Sequence, residues 1–234
     1  MEEKVQTSPW AARSQVTLPG AASLPWTHKT FGDRRPTLYR PEHQAGRDAL
    51  HACSAAGNSS LRMDIPPGVH AQAGRLRFSW FVPALIAEAD LNDGDVDDAV
   101  ARVILTFGGD SGQSFSPRDH LISELARLVT GEPLPYATLI YVWDNRHPVG
   151  TVIPNPHTTR IRQIVVESGP ARLGRWVDFE RDVQADFRLA FGRAPGPLNS
   201  VGLLTDSNNT RTTAHAWYGP ITLTVDHLTT AGRP

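Results

Sequence analysis

One cysteine, Cys53, stands in a chain of 234 residues. Alone it can close no intramolecular disulfide and can build no thiolate zinc site. Lysine is nearly absent: Lys4 and Lys29 are the only two, so arginine carries the basic charge. Arginine's planar fork suits paired contacts to carboxylates, which points to ion pairs inside the fold. Neither sign of charge prevails, since the formal net charge is -1. That argues against a phosphate-tracking surface, and so against nucleic acid as a partner. No apolar run approaches the ~18 residues of a membrane helix, so no membrane partner is expected. The opening MEEKVQTSPW holds two glutamates and no apolar stretch of the secretory kind, which reads as cytoplasmic. There is no internal repeat, no glycine-rich phosphate loop and no serine elbow. The histidines, from His28 to His227, show no metal spacing, so neither metal nor cofactor is implied.

What is present is a globular balance, 40% hydrophobic and 20% charged residues, with short β-like segments between turn signals. Residues 1–35 are rich in Pro, Ser, Thr and Ala and read as an irregular arm anchored by Trp10, Trp26 and Phe31. Residues 36–234 read as a single domain. Leu61, Met63 and Ile65 alternate with Arg62 and Asp64, and Leu76, Phe78, Trp80 and Val82 repeat that period. The turn Ala55-Ala56-Gly57-Asn58-Ser59 suggests a hairpin between residues 49–54 and 60–65. Residues 99–107 form a nearly continuous apolar run that suits a central strand. Two segments have helical spacing instead: Pro117 to Val129, and Glu180 to Phe191, the latter stopped by Gly192. The expected fold is mostly β, a two-sheet antiparallel sandwich of jelly-roll type with two short helices.

Several short motifs stand in a definite order along the chain. They are Asp97-Asp98, Ala101-Arg102, Tyr141-Val142-Trp143, Val165-Val166-Glu167-Ser168-Gly169, Trp176, Glu180-Arg181-Asp182-Val183, Asp186, Phe191-Gly192, Thr205-Asp206-Ser207-Asn208-Asn209-Thr210 and Ala216-Trp217-Tyr218-Gly219. Their order and spacing resemble a bacterial family known only as a domain of unknown function. The resemblance covers roughly Leu50 to Leu223. It implies a jelly-roll β-sandwich similar to carbohydrate-binding modules, relatives that look exported, and no established reaction. Where the family usually carries Asp, this chain has Asn208.

Four constellations could carry chemistry. The acidic run Asp90 to Asp98 has a calcium-loop composition without EF-hand register, and reads more readily as a solvated turn before a strand. Asp98 and Arg102 would share one face of an extended strand, and a guanidinium on that apolar strand needs a partner, with Glu180 or Asp182 as candidates. Glu180, Arg181 and Asp182 stand at the start of the second helical segment, where carboxylates favour the dipole or serve as general acid or base beside Trp176. Asp206, Asn208 and Asn209 form a polar loop after a strand, where binding residues gather. Arg102, Glu180, Arg181 and Asp206 are expected to converge.

Two functions follow from these residues. The first is a protein that binds a small molecule or saccharide through Arg102, Trp176, Arg181, Asn208, Asn209, Trp217 and Tyr218. The second is an enzyme, a lyase, isomerase, cyclase or hydrolase, using Asp98, Glu180, Asp182 and Asp206 in acid–base chemistry.

Overall fold

A computed structural model describes residues 2–17, 24–66, 69, 71–110 and 115–227. Among them the chain forms two seven-stranded sheets packed face to face. The first sheet holds β1 (Gln15–Thr17), β3 (Leu38–Gln44), β4 (Arg47–Ala55), β6 (Ala71–Phe81), β11 (Trp176–Asp182), β13 (Thr213–Tyr218) and β14 (Thr222–His227). The second runs β2 (Trp26–Thr30), β5 (Ser59–Asp64), β12 (Leu198–Leu204), β7 (Arg102–Phe107), β8 (Ala137–Asp144), β10 (Ile161–Ser168) and β9 (Val152–Pro154). The helices are α1 (Glu2–Gln6), α2 (Pro9–Arg13), α3 (Pro117–Thr130) and α4 (Val183–Phe191).

Period-two patterning decides which side chains meet between the sheets. Leu61, Met63, Val103, Leu105, Phe107, Leu139, Tyr141, Trp143, Val201 and Leu203 face inward from the second sheet. Leu50, Ala52, Leu76, Phe78, Trp80, Ala216 and Tyr218 face them from the first. Helix α4 adds Val183 and Phe187 to that core, with Phe187 set edge-on to Phe107 at 4.8 Å between ring centres. The alternate residues of the second sheet, among them Arg102, Ile104, Ile140, Gln163 and Leu204, therefore point to its outer face.

The sheets are mixed rather than wholly antiparallel. Strands β8 and β10 pair in parallel, as do β1 and β14. A parallel neighbour needs a long connection. After β8 the chain runs outward, forms β9, and turns back so that β10 inserts between β8 and β9. Strand β6 is eleven residues long, which lets β14 and β13 share one of its edges while β11 takes the other. At the break between β13 and β14, a Cβ on Gly219 would lie 2.0 Å from Ser79 Oγ, so any larger residue there would have to turn that hydroxyl aside.

The hairpin expected around Gly57 does not form, because β4 and β5 belong to different sheets. Asn58 N–H donates to the Arg35 carbonyl (2.8 Å) and the Gly57 carbonyl accepts from Ser207 N–H (3.0 Å), so the segment is tied to neighbouring loops and crosses between sheets. The true hairpin joins β3 to β4 through Ala45 and Gly46, both at positive φ, as a tight two-residue turn requires.

The N-terminal stretch is more ordered than an irregular arm: it supplies two short helices and an edge strand to each sheet. Trp10 and Trp26 are buried with ring centres 5.1 Å apart, and Trp10 Nε1 donates to the Gly219 carbonyl at 3.0 Å. No described helix is long and apolar enough to cross a membrane. Replacing Trp10 by Ala should cost about 3–5 kcal/mol, read as a lower midpoint in urea with an unchanged slope. An unchanged midpoint would show that the N-terminal segment is not part of the cooperative unit.

Candidate functional site

The outer face of the second sheet is covered in two ways. Over one part, the loop before β7 lays Leu91 and Ala99 on Val142, Ile153 and Val165, a small satellite of the main core. Over the other part stands α3, and between helix, loops and sheet lies a cleft of about 810 Å³.

Its floor comes from four strands. Leu204 lies directly opposite Arg102, and Gln163 beside Ile140. Ile122, Leu125, Ala126 and Val129 of α3 form one wall. Asp95, Asp97, Asn155, His157, Asn208 and Asn209 form the polar end. Gly94 lets His157 approach: a Cβ there would sit 2.8 Å from His157 Nε2.

At the heart of the polar end is a buried ion pair. Arg102 Nη1 donates to Asp206 Oδ1, and Arg102 Nη2 to the Asp97 carbonyl. Ala99 N–H also donates to Asp206 Oδ1 at 3.0 Å. Burial pushes the Asp206 carboxyl up, Arg102 draws it down and Asp98 raises it again, leaving it at about 6. Burial likewise raises the Asp97 carboxyl against the pull of Arg102. Asp98 accepts from Thr210 N–H and Oγ1, each at 2.7 Å, and from Asn209 N–H at 3.3 Å. It pins the polar loop instead of facing Arg102 along a strand, because β7 begins only at Arg102.

The polar loop is mostly consumed in holding itself. Asn209 Nδ2 donates to Asp97 Oδ1 (2.7 Å) and to the Gly94 carbonyl (3.1 Å), and Asn209 Oδ1 accepts from Asn208 Nδ2. That chain fixes the orientation of the Asn208 amide and leaves its Oδ1 buried without a partner. Asn58 Oδ1, Arg102 Nε and Gln163 Oε1 are also buried and unpartnered, and all four belong to residues lining the cleft.

The expected convergence holds for Arg102 and Asp206 only. Glu180 and Arg181 lie in β11, since pairing with β6 carries the strand through Asp182. Glu180 is on the outside of the first sheet, bonded to Arg75 (2.9 Å) and Arg77 (2.7 Å). Arg181 joins a separate network, donating to Asp186 at 2.8 and 2.6 Å, while Tyr141 Oη donates to the same carboxylate at 2.8 Å. Asp182 is exposed and caps α4 through Ala185 N–H.

Trp176 and Trp217 are half-buried on the first sheet, away from the cleft. Trp217 stacks on His51 at 4.2 Å and donates from Nε1 to Glu42; Trp176 donates from Nε1 to the Gln44 carbonyl. Tyr218 is core, its hydroxyl donating to the Leu204 carbonyl at 2.7 Å. In the acidic run, Asp90 and Asp93 accept from Asn92 and Asp95 N–H, and Asp90 pairs with Arg146. Among the described residues no group of three or more His, Cys, Asp or Glu is arranged to hold a metal ion.

Helix α3 is held by polar contacts at its ends, and between them Ser123 Oγ accepts from Leu134 N–H at 3.1 Å. Ser116 and Asp119 form a capping box, and Asp119 accepts from Thr158 Oγ1 at 2.6 Å. After the helix, Glu132 accepts from Arg62 (2.7 Å) and Lys29 (3.2 Å). Only Asp119 and Ser123 of the helix are buried, and Leu121, Leu125, Leu128 and Val129 are exposed. The helix expected over Pro117 to Val129 is present, and its apolar stripe faces the cleft and solvent. Residues that the sequence did not flag as site candidates here are Asn58, Asn155, His157 and Gln163. Gln163 had a signal: it shares a strand face with Ile161 and Val165.

Two packed sheets with a cleft on an outer face define a β-sandwich protein with a pocket of small-molecule size. Over residues 24–222 the chain matches the family described as protein of unknown function (DUF3047), and it belongs to that family. No curated protein matches it.

Two outcomes test this geometry. Asp206→Asn should strand the buried guanidinium and cost about 3–5 kcal/mol, roughly 6–20 °C in Tm. Glu180→Gln, on the open surface, should melt with the wild type. Equal losses would mean that the two carboxylates share one network.

The second outcome concerns pH. Burial would raise the Asp119 carboxyl, but bonds from Thr158 and Ser116 together with Arg160 bring it to about 2. Because the folded value lies below the ordinary ~3.9, the tether is intact above about pH 4 and lost as pH falls toward 2. Methyl resonances of Leu121, outside the cleft lining, should hold to about pH 4 and shift below it. In Thr158→Val the shift should come at higher pH. Methyls that move independently of this titration would refute the tether.

Proposed function

We propose that this protein binds a small molecule in the cleft over its second sheet. The observation that carries the reading is the gathering of four unpartnered, buried polar atoms at one cavity: Asn58 Oδ1, Arg102 Nε, Gln163 Oε1 and Asn208 Oδ1. Leaving such a group unpaired costs about 1–3 kcal/mol, and folded proteins rarely leave many. Four around one cleft signal capacity kept for a partner. The cavity, at 810 Å³, is also of the size that encloses a small ligand. The resemblance read from the sequence implies a sandwich similar to carbohydrate-binding modules, which supports a hydroxylated ligand. Such a ligand would meet amides and carboxylates here, since Trp176 and Trp217 stand on the other sheet.

A second reading, catalysis, is favoured by one feature. Asp97 and Asp206 both have raised carboxyl pKa values beside Arg102, and His157 lines the same polar end. Asp97 is the better acid–base group, because Asp206 is committed to Arg102. Of the carboxylates proposed from sequence, Asp206 alone lines the cleft.

The test is a screen of chemically mixed fragments against the isotope-labelled protein. Hits should shift backbone amides at 94–97, 122–130 and 206–211 together. Hits confined to the Trp176 and Trp217 face, or no hits at all, would overturn the reading.

A further inference from the structure

The geometry points to a neutral amphiphile as the occupant of the cleft: a hydroxylated head at Arg102 and Asn208, and a hydrocarbon portion along α3. The inference rests on the cleft being a binding site and adds what it binds. Three features carry it.

The first is charge balance. Arg34, Arg102 and Arg211 line the cleft against Asp95, Asp97 and Asp206. Three cations meet three anions, and the pair nearest the floor is already joined. A charged ligand would meet an opposing charge at little net gain, whereas a neutral one loses less hydration on entry.

The second is the kind of hydrogen-bonding capacity left over. The Asn209 bonds to Asp97 and Gly94 oblige Asn208 to present an acceptor. Arg102 Nε can only donate. Both atoms are buried without a partner on residues that line the cleft. A polyol supplies donors and acceptors together without charge, and a carboxylate supplies acceptors alone.

The third is the division of the walls. Leu125 and Val129 of α3 line the cleft with Ile140 and Ile161 of the sheet. Leu125 and Val129 each keep 53% of their surface exposed. Unburied apolar side chains on a helix tethered at both ends, facing apolar strand residues, suit a hydrocarbon chain laid between them. Water-soluble saccharides alone would leave that wall bare.

Four probes decide the matter: n-octyl β-glucoside below its micelle threshold, glucose, octanoate and octyltrimethylammonium, each titrated by calorimetry and by amide shifts. Octyl glucoside should bind at least about tenfold tighter than the other three and move amides near Leu125 and Asn208 together. Leu125→Asp and Asn208→Leu should each weaken it by about tenfold or more without lowering Tm. Leu128→Asp, on the same helix but outside the cleft lining, should leave it unchanged and so controls for damage to α3. Glucose binding as tightly as its octyl glycoside would overturn the hydrocarbon half. Octanoate or the ammonium binding as tightly would overturn neutrality; in all these cases the cleft stays a site. Silence from all four while fragments still move the cleft amides would sink the ligand class alone. Silence from the fragments as well would sink the site itself.

Discussion

The Arg102–Asp206 pair is the interaction on which the second sheet's outer face depends. Arg102 opens β7 and Asp206 follows β12, two strands that pair over their whole length, so the partners are fixed by sheet register. Removing two charges from water is expensive, and only close pairing with further hydrogen bonds offsets it. Those further bonds come from backbone: the Asp97 carbonyl to the guanidinium, and Ala99 N–H to the carboxylate. The pair therefore holds the loop before β7 as well as the strands. Asp98 extends the hold to Asn209 and Thr210. One buried charge pair thus fixes two loops and with them the polar end of the cleft.

The two outer faces of the sandwich are used differently. On the first sheet, exposed ion pairs such as those of Glu180 with Arg75 and Arg77 run across neighbouring strands. Their charges are solvated and contribute little to stability. Trp217 and His51 stack there to cover one another's faces. The second sheet is sheltered, half by a packed loop and half by a helix that barely packs. A helix gains most of its stability from burying an apolar stripe. Helix α3 instead relies on a capping box, on Asp119 bonded to Thr158, and on Glu132 bonded to Arg62 and Lys29. Polar tethers at both ends keep a gap open that apolar packing along the helix would close.

Much of the fold was legible because burial on one face imposes a period that sequence displays. Leu76, Phe78, Trp80 and Val82 are all core, as their alternation required. The need of Arg102 for a partner was legible too, from one charge in an apolar run. The partner's identity was not, since it depends on β7 lying beside β12, about a hundred residues on. Glu180 and Arg181 misled for a related reason. Acidic residues before an amphipathic stretch suit a helix's first turn, but seven residues of pairing with β6 outweigh that local preference and delay the helix to Val183. The Gly57 segment shows the same contest: its composition is turn-like, yet its hydrogen bonds go to Arg35 and Ser207. The spacing from Pro117 to Val129 foretold helix α3 but not its surroundings, because periodicity reports which side chains share a face and says nothing of what that face meets.

The cleft departs from what stability alone would select. A folded domain is stable by only about 5–15 kcal/mol, and unpaired polar atoms together with bared leucines draw on that margin. They are tolerated because the inter-sheet core, closed by α4 and by the Trp10–Trp26 contact, does not depend on the cleft. The same separation gives any occupant two sources of binding energy: hydrogen bonds that the protein lacks, and apolar surface that it leaves wet. Both are gained without rearranging the core, so the site can be shaped by its rim, at α3 and the 206–211 loop, while Arg102 and Asp206 hold the floor. A binding surface built this way couples to folding only through ligand occupancy, which raises stability in proportion to the logarithm of ligand over Kd.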